Sequence, residues 1–363
     1  MILKIQILGT RGIPAAHGGF ETFAEHLALF LVSRGHDVLV YGQGEPGSQV
    51  ETDTWCGVRR ISIPAPEGAF GTILFDARAT IRSLSEEGLP LVCGYNTAIL
   101  NTLYRLAGRK SLMNMDGIEW RREKWSRWQR TWLRLNEWLG AKLSTHLIAD
   151  HPEIANHLSD LVQKEKITTI PYGANAASLA EKDVLESFNL KSGGYAIMIA
   201  RPEPENSVLE VIEAFSKRPR GYELLVLGKL NPAEKAYHRS VINAAGPEVR
   251  FIGPLYDRRG VASIRAGAKW YAHGHRVGGT NPSLVESLAA GNPVLAHDNR
   301  FNRWVAGSGA RYFQSVEQLD QIMSSLSDED LLNMQKASRE RHAEAFTLEK
   351  IHAEYERLLL RFA

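Results

Sequence analysis

The chain has 363 residues, 44% of them hydrophobic and 23% charged, too long for one ordinary core and well suited to two domains. Its 43 basic and 41 acidic side chains nearly cancel, so no overall field would hold a nucleic-acid backbone, and any phosphate must be met locally. Two solitary cysteines, Cys56 and Cys93, suit neither a disulfide framework nor a thiolate metal site, and no apolar run is long enough to span a bilayer. A reducing, cytoplasmic setting is expected.

The N-terminus enters an alternating apolar strand at Leu3–Leu8 without the pattern of a signal peptide. A Gly/Pro-rich loop from Gly9 to Gly19 follows, then a helix with Phe23, Leu27, Phe30 and Leu31 at helical spacing, stopped by Arg34-Gly35-His36 before a strand at Val38–Tyr41. Between strand and helix, unpaired amides can face an anion, and Gly18 and Gly19 would let a diphosphate approach closely. The loop does not match the G-x-G-x-x-G fingerprint, which argues against a nicotinamide cofactor.

Short apolar runs at Leu91–Cys93, Ser111–Asn114 and Leu147–Ala149 continue the pattern of a parallel sheet wrapped by helices. The segment Asn114-Met115-Asp116-Gly117-Ile118-Glu119-Trp120 follows one of these strands, so Asp116 and Glu119 are expected at the carboxyl edge, where open α/β sheets place ligands. The competing role for both carboxylates is capping of the next helix.

Residues 120–138 hold five of the eight tryptophans, with Trp125, Trp128, Trp132, Leu135 and Leu139 at helical spacing among Arg121, Arg122, Lys124, Arg127, Arg130 and Arg134. The simpler expectation is that this apolar stripe packs mostly on the sheet and leaves a basic outer face, giving weak, salt-sensitive association with an anionic membrane; the alternative turns Trp125, Trp128 and the surrounding arginines outward, so that the helix lies on such a membrane.

After Leu190-Lys-Ser-Gly-Gly a second series begins, with strands at Ala196–Ala200, Leu224–Leu227, Val249–Ile252 and Pro293–Ala296. Asn281-Pro282 reads as an N-cap with proline at the first helical position, opening a helix that ends near Gly291. Free amides near Ser283 and Leu284, with the positive end of the helix dipole, would receive a diphosphate, and Glu286 one turn in could hold a ribose. The string Asp328-Glu329-Asp330 after Ser327 looks like a helix start rather than a metal site. The final segment, 346–363, forms a helix with Ile351, Tyr355, Leu358 and Leu359 on one face, able to lie on either domain.

Gly18-Gly19-Phe20-Glu21, Arg34-Gly35-His36-Asp37-Val38 and the 114–120 segment resemble glycosyltransferase family 4, and more closely its rhamnosyltransferase-type subgroup. The resemblance covers nearly the whole chain. It implies an α/β GT-B fold: two Rossmann-like, doubly wound domains facing a central cleft, an acceptor-side domain over 1–180 and a donor-binding domain over 181–345, with a C-terminal helix over 346–363 that can cross back. It also implies a retaining sugar transfer, with rhamnose on a dTDP-linked donor as the first expectation and a glycan or lipid-linked saccharide as acceptor, in cell-surface polysaccharide synthesis.

By this resemblance Asp116, Glu119 and Arg201 carry the chemistry. The donor is held by Gly18, Gly19, Arg201, Lys229, Gly278, Gly279, Thr280, Asn281, Ser283, Leu284 and Glu286. No metal and no resident cofactor is expected, and the departing diphosphate is met by cations and dipoles. Two positions depart from the family pattern: Gly278 stands where a first glutamate is usual, and Asn206 where a lysine follows the arginine. A sugar-nucleotide epimerase, a transferase of another sugar, and a non-catalytic nucleotide-sugar-binding subunit remain as alternatives.

Overall fold

The computed structural model describes residues 2–15, 18–122, 125–176, 180–255 and 257–363. His17 and Lys124 lie outside these. The chain divides into two units, one built from residues 1–171 with 349–363, the other from 172–348.

In the first unit the strands are β1 (Lys4–Leu8), β2 (Asp37–Gly44), β3 (Glu51–Trp55), β4 (Val58–Pro64), β5 (Leu89–Cys93), β6 (Leu112–Asn114), β7 (His146–Ala149) and β8 (Ile167–Thr169). They form one sheet in the order β3-β4-β2-β1-β5-β6-β7-β8, parallel except for the β3–β4 pair. β1 lies between β2 and β5, with Ile5 opposite both Val38 and Leu89. The order reverses there, since the chain builds outward from β1 through β2 and then returns to its other side at β5. Such a switch point opens a crevice at the carboxyl ends of the strands. The hairpin of β3 and β4 is an addition at the sheet edge that apolar periodicity did not reveal, because β3 is almost wholly exposed.

In the second unit the strands are β9 (Tyr195–Ile199), β10 (Glu223–Leu227), β11 (Val249–Phe251), β12 (Tyr271–His273), β13 (Val294–His297) and β14 (Arg311–Phe313). All pair in parallel, in the order β11-β10-β9-β12-β13-β14. Ile197, Leu225, Leu227 and Tyr271 face one core, and Ala196, Met198, Leu224, Val226, Ala272 and Leu295 the other. Both faces are therefore buried, as a parallel sheet requires. The switch point lies between β9 and β12.

The last helix, Leu348–Phe362, buries Ile351, Tyr355, Leu358 and Leu359 within the first unit. Tyr355 accepts a hydrogen bond from Asn114 Nδ2 at 3.0 Å and its ring lies 4.9 Å from Phe23. Glu356 pairs with His36 at 2.8 Å and with Arg34 at 3.3 Å, so Arg34-Gly35-His36 serves as a dock for the C-terminus.

His352 on this helix lies against Phe30, and burial, with the nearby His26 charge second, pushes its pKa down to about 4. The folded ring is then neutral while the unfolded chain takes up a proton from its ordinary value of 6.5 downward. This stability is complete above that value and is lost as the pH falls towards 4, approaching about 3 kcal/mol. We expect urea midpoints to decline between neutral pH and about pH 5, and His352→Leu to flatten that decline. An unchanged slope would remove His352 as the cause.

Candidate functional site

Each switch point carries one group of candidate residues. In the first unit a cavity of about 140 Å³ opens at the carboxyl ends of β1 and β5, lined by residues that include Gly9, Thr10, Glu21, Asp76, Tyr95, Asn96, Thr97, Asp116 and Glu119. Gly9 has φ +79°, and a Cβ there would overlap the Cys93 carbonyl oxygen, so glycine is what lets the two strand ends close on each other.

Gly18 caps the helix Gly19–Ser33 in an extended conformation. The first turn carries Glu21, whose Oε1 accepts the Arg11 amide at 3.0 Å, and a Cβ on Gly18 would meet its other oxygen at 2.9 Å. The Gly-Gly-x-Glu string thus folds a buried carboxylate back under the glycine loop and sets the loop's path.

Asp116 and Glu119 both line the cavity, just beyond β6. Neither caps the following helix, Arg127–Leu143, which is closed by a capping box of Ser126 and Gln129. Asp116 takes a left-handed φ of +54°, its amide bonded to Asn114 Oδ1 at 3.0 Å. A non-glycine residue held there is strained, a feature that gathers at ligand sites. The Glu119 amide donates to the Tyr95 hydroxyl at 2.8 Å, and its carboxylate pairs with Arg122 Nε at 2.5 Å.

Asp76 completes the set and was not singled out from the sequence. It sits on the helix Gly68–Ser83 between the buried Phe75 and Ala79, and a lone acid on such a face was the signal available. Thr97 Oγ1 donates to its Oδ2 at 2.7 Å, yet burial still pushes its pKa up to about 6. Four carboxyl groups, three threonines and an asparagine around one small cavity suit a polyhydroxylated ligand.

The tryptophan helix turns a different face inward from the one its apolar spacing suggested. Trp128 is 86% exposed, and Trp132, Leu135 and Trp138 are exposed with it. The buried side is Leu133, Asn136, Glu137, Gly140 and Ala141. Packing here is governed by close approach and hydrogen bonding rather than by apolar bulk. A Cβ on Gly140 would meet Met113 Sδ at 2.8 Å, Asn136 Oδ1 accepts the Ile99 amide at 2.9 Å, and Glu137 binds Trp120 Nε1 at 3.1 Å and His157 at 3.0 Å.

In the second unit the loop after β9 carries Arg201 and the loop after β10 carries Lys229, both exposed and neither in an ion pair among the described residues. Glu203, two residues beyond Arg201, pairs with Lys235 at 2.7 Å. A Cβ on Gly228 would overlap the Ala200 carbonyl oxygen, so the two cation-bearing loops run side by side. Asn206 is buried and donates to the Arg201 carbonyl at 2.8 Å, so its amide shapes the loop rather than facing a ligand.

The loop after β12 is pinned to that loop. The Arg276 amide donates to the Glu205 carbonyl at 2.9 Å, its guanidinium binds Ser207 Oγ at 2.9 Å and pairs with Glu210, and a Cβ on Gly274 would overlap the Asn206 carbonyl oxygen. Gly278, at φ +143°, Gly279 and the buried Thr280 then lead to the helix Pro282–Ala289, capped by Asn281 with proline at its first position.

One expectation about this helix is corrected. The amides of Ser283 and Leu284 are not free, because Asn281 Oδ1 accepts the first at 2.9 Å and the Asn281 carbonyl the second at 3.1 Å. Leu284 itself is fully buried in the core. What the helix offers an anion is its dipole and the glycine backbone before it.

Glu286 is held by Arg265, a buried arginine the sequence did not single out, at 2.7 Å, with its own side chain 43% exposed. Tyr271 donates to Ser283 Oγ at 3.1 Å and meets His273 Nδ1 at 3.1 Å. Burial, with His275 and His297 adding to it, holds the His273 pKa well below its usual range, so the ring is neutral, and its Nε2 has no hydrogen-bond partner among the described residues. Asp330 of the D-x-D string forms the capping box with Ser327, at 3.0 and 3.1 Å, as a helix start should.

A family model described as a domain of unknown function, DUF1972, matches residues 89–175, the stretch from β5 through β8 that holds Asp116, Glu119 and the tryptophan helix. Among curated proteins none matches the chain. Solved structures do. Sucrose-phosphate synthase from Thermosynechococcus elongatus is similar over 99% of this chain and 98% of its own, at 18% identity and a TM-score of 0.83. Anabaena HepE in complex with UDP is similar over 99% and 100%, at 15% identity and 0.76. The trehalose 6-phosphate synthase of Burkholderia multivorans is similar over 99% and 97%, at 10% identity and 0.73. With two parallel-sheet units and this likeness along its whole length, the chain has the GT-B fold.

Proposed function

We propose that the protein is a glycosyltransferase that moves a sugar from a nucleotide-sugar donor to a hydroxyl of a glycan or lipid-linked saccharide, with retention of configuration. The observation that carries this reading is the second unit's switch point, where Arg201 and Lys229, without ion pairs among the described residues, stand beside the Asn281-capped helix and the Arg265-held Glu286. The likeness to proteins named as sugar-phosphate synthases, and to one solved with UDP, supports it. We take rhamnose on a dTDP-linked donor as the first pair to test, and cell-surface polysaccharide synthesis as its setting.

In this reading Arg201, Lys229 and the helix dipole meet the diphosphate charge that grows as the sugar–oxygen bond breaks. The amides of Gly278 and Gly279 take over from the missing first glutamate in holding sugar hydroxyls, and those of Gly18 and Gly19 face an anion. Glu286 accepts ribose hydroxyls through the oxygen that Arg265 leaves available, and Arg265 is a positioning residue. Asp116, Glu119 and Asp76 hold the acceptor in the first unit's cavity.

A panel of nucleotide-sugars, scored by thermal shift and by mass-detected transfer to lipid-linked and free saccharides, tests this. Transfer from one donor supports it. Donor consumption without an acceptor points to an epimerase, and binding without turnover to a non-catalytic subunit. Glu286→Ala should weaken donor kcat/KM by the roughly 1.5–3 kcal/mol of a hydrogen bond to a charged group, about 10- to 150-fold. Unchanged donor affinity and turnover would sink that role.

A further inference from the structure

We propose that the outer face of the helix Arg127–Leu143 is a docking surface for an anionic lipid bilayer. The helix exposes Trp128, Trp132, Leu135 and Trp138, three or four positions apart and so along one stripe, with Trp128 86% exposed. Single exposed apolar side chains are ordinary, but four in a row with three indoles among them mark an interaction surface.

Charge selects the partner. Arg127, Arg134 and Lys142 are exposed on the same helix, and its one acid, Glu137, is buried and bonded to Trp120 and His157. The exposed face is therefore cationic and apolar together, the combination that suits anionic headgroups over an acyl boundary. Tryptophan is the side chain that favours that boundary, because its ring is amphipathic. A second copy fits poorly, since a two-fold contact would set this stripe against itself and bring like charges together.

The stripe lies beside the first unit's cavity. Trp132 Nε1 donates to the Asn96 carbonyl at 3.0 Å, and Asn96 and Thr97 line that cavity. A saccharide whose lipid stays in the bilayer could place its sugar there. This last step rests on the transferase reading, whereas docking does not. No helix of the described residues is long and apolar enough to cross a membrane, so the contact is peripheral.

The test is co-sedimentation of the full chain, without donor, with vesicles of equimolar phosphatidylcholine and phosphatidylglycerol, and with phosphatidylcholine alone, at low and high salt. Binding to the anionic vesicles is expected, weakened by salt and by omission of phosphatidylglycerol. Arg127→Glu should lower the partition coefficient by about fivefold or more, and Trp128→Ala by a similar factor, each with an unchanged thermal melt because both side chains are exposed. No binding at low salt, or binding that neither variant alters, would overturn the proposal. So would a concentration-dependent dimer in sedimentation velocity that Trp128→Ala abolishes, since the face would then belong to a second copy. Vesicle binding is scored without sugar transfer, so a failure of the transferase reading leaves this result standing.

Discussion

Arg201→Ala should lower turnover by about 10²- to 10³-fold, the usual loss when one charge-stabilising donor is removed from a transition state. Its melting temperature should stay where it is, because Arg201 is exposed and makes no ion pair among the described residues. On the proposed transfer the asymmetry follows from when the charge appears: the diphosphate would gain negative charge as the sugar leaves, so the guanidinium would act more on the barrier than on the ground state. Arg201→Lys should recover part of the loss, since charge is kept while the planar fork is not. Steady-state kinetics at saturating donor, beside a thermal melt, give the answer. Turnover equal to that of the unmodified protein would remove Arg201 from the site, and a matched loss of stability and activity would make it structural.

Asp76→Asn should move stability and activity in opposite directions. The folded carboxyl has its pKa raised from 3.8 to about 6 by burial, against the Thr97 hydrogen bond. Between those values the folded state keeps a proton that the unfolded chain has lost. Its favourable contribution is complete below the unfolded value and is gone once the pH rises through about 6. At neutral pH the ionised group is therefore a burden of up to about 3 kcal/mol, which asparagine relieves. In the transferase reading the same change removes a carboxylate that accepts from an acceptor hydroxyl, so acceptor kcat/KM should fall by about 10- to 150-fold. In the unmodified protein acceptor kcat/KM should decline below about pH 6, and in Asp76→Asn that limb should be absent. A variant that is more stable and equally active would make Asp76 a strained bystander. A destabilised one would show that burial is not what governs this carboxyl.

The alternation of apolar runs and helical spacings determined two parallel α/β sheets, because strand and helix periods are local properties. Nine strands and the apolar face of the last helix were legible in this way. The exposed β3 and its partner β4 were not, and neither were β8, β12 and β14, these last each only three residues long. Asn281-Pro282 announced its helix from two residues, since a cap is also local. Which unit takes the last helix was decided by contacts across some 240 to 320 positions, Tyr355 to Asn114 and Glu356 to His36. Sequence spacing carries no record of these.

The site divides in the same way. Asp116 and Glu119 could be placed at a sheet edge because they follow a strand, whereas Asp76 and Arg265 reach their sites from helices elsewhere in the chain, each recognisable only by its partner, Thr97 or Glu286. Ser283 and Leu284 lost their free amides to a cap whose geometry only the folded turn defines. For the tryptophan helix the tertiary structure reversed the expectation. Apolar spacing marks one face of a helix, but which face goes inward depends on what lies beneath it. Here the sheet and loop beneath require Gly140 at Met113, Asn136 at Ile99 and Glu137 at Trp120, so the tryptophans are left outside.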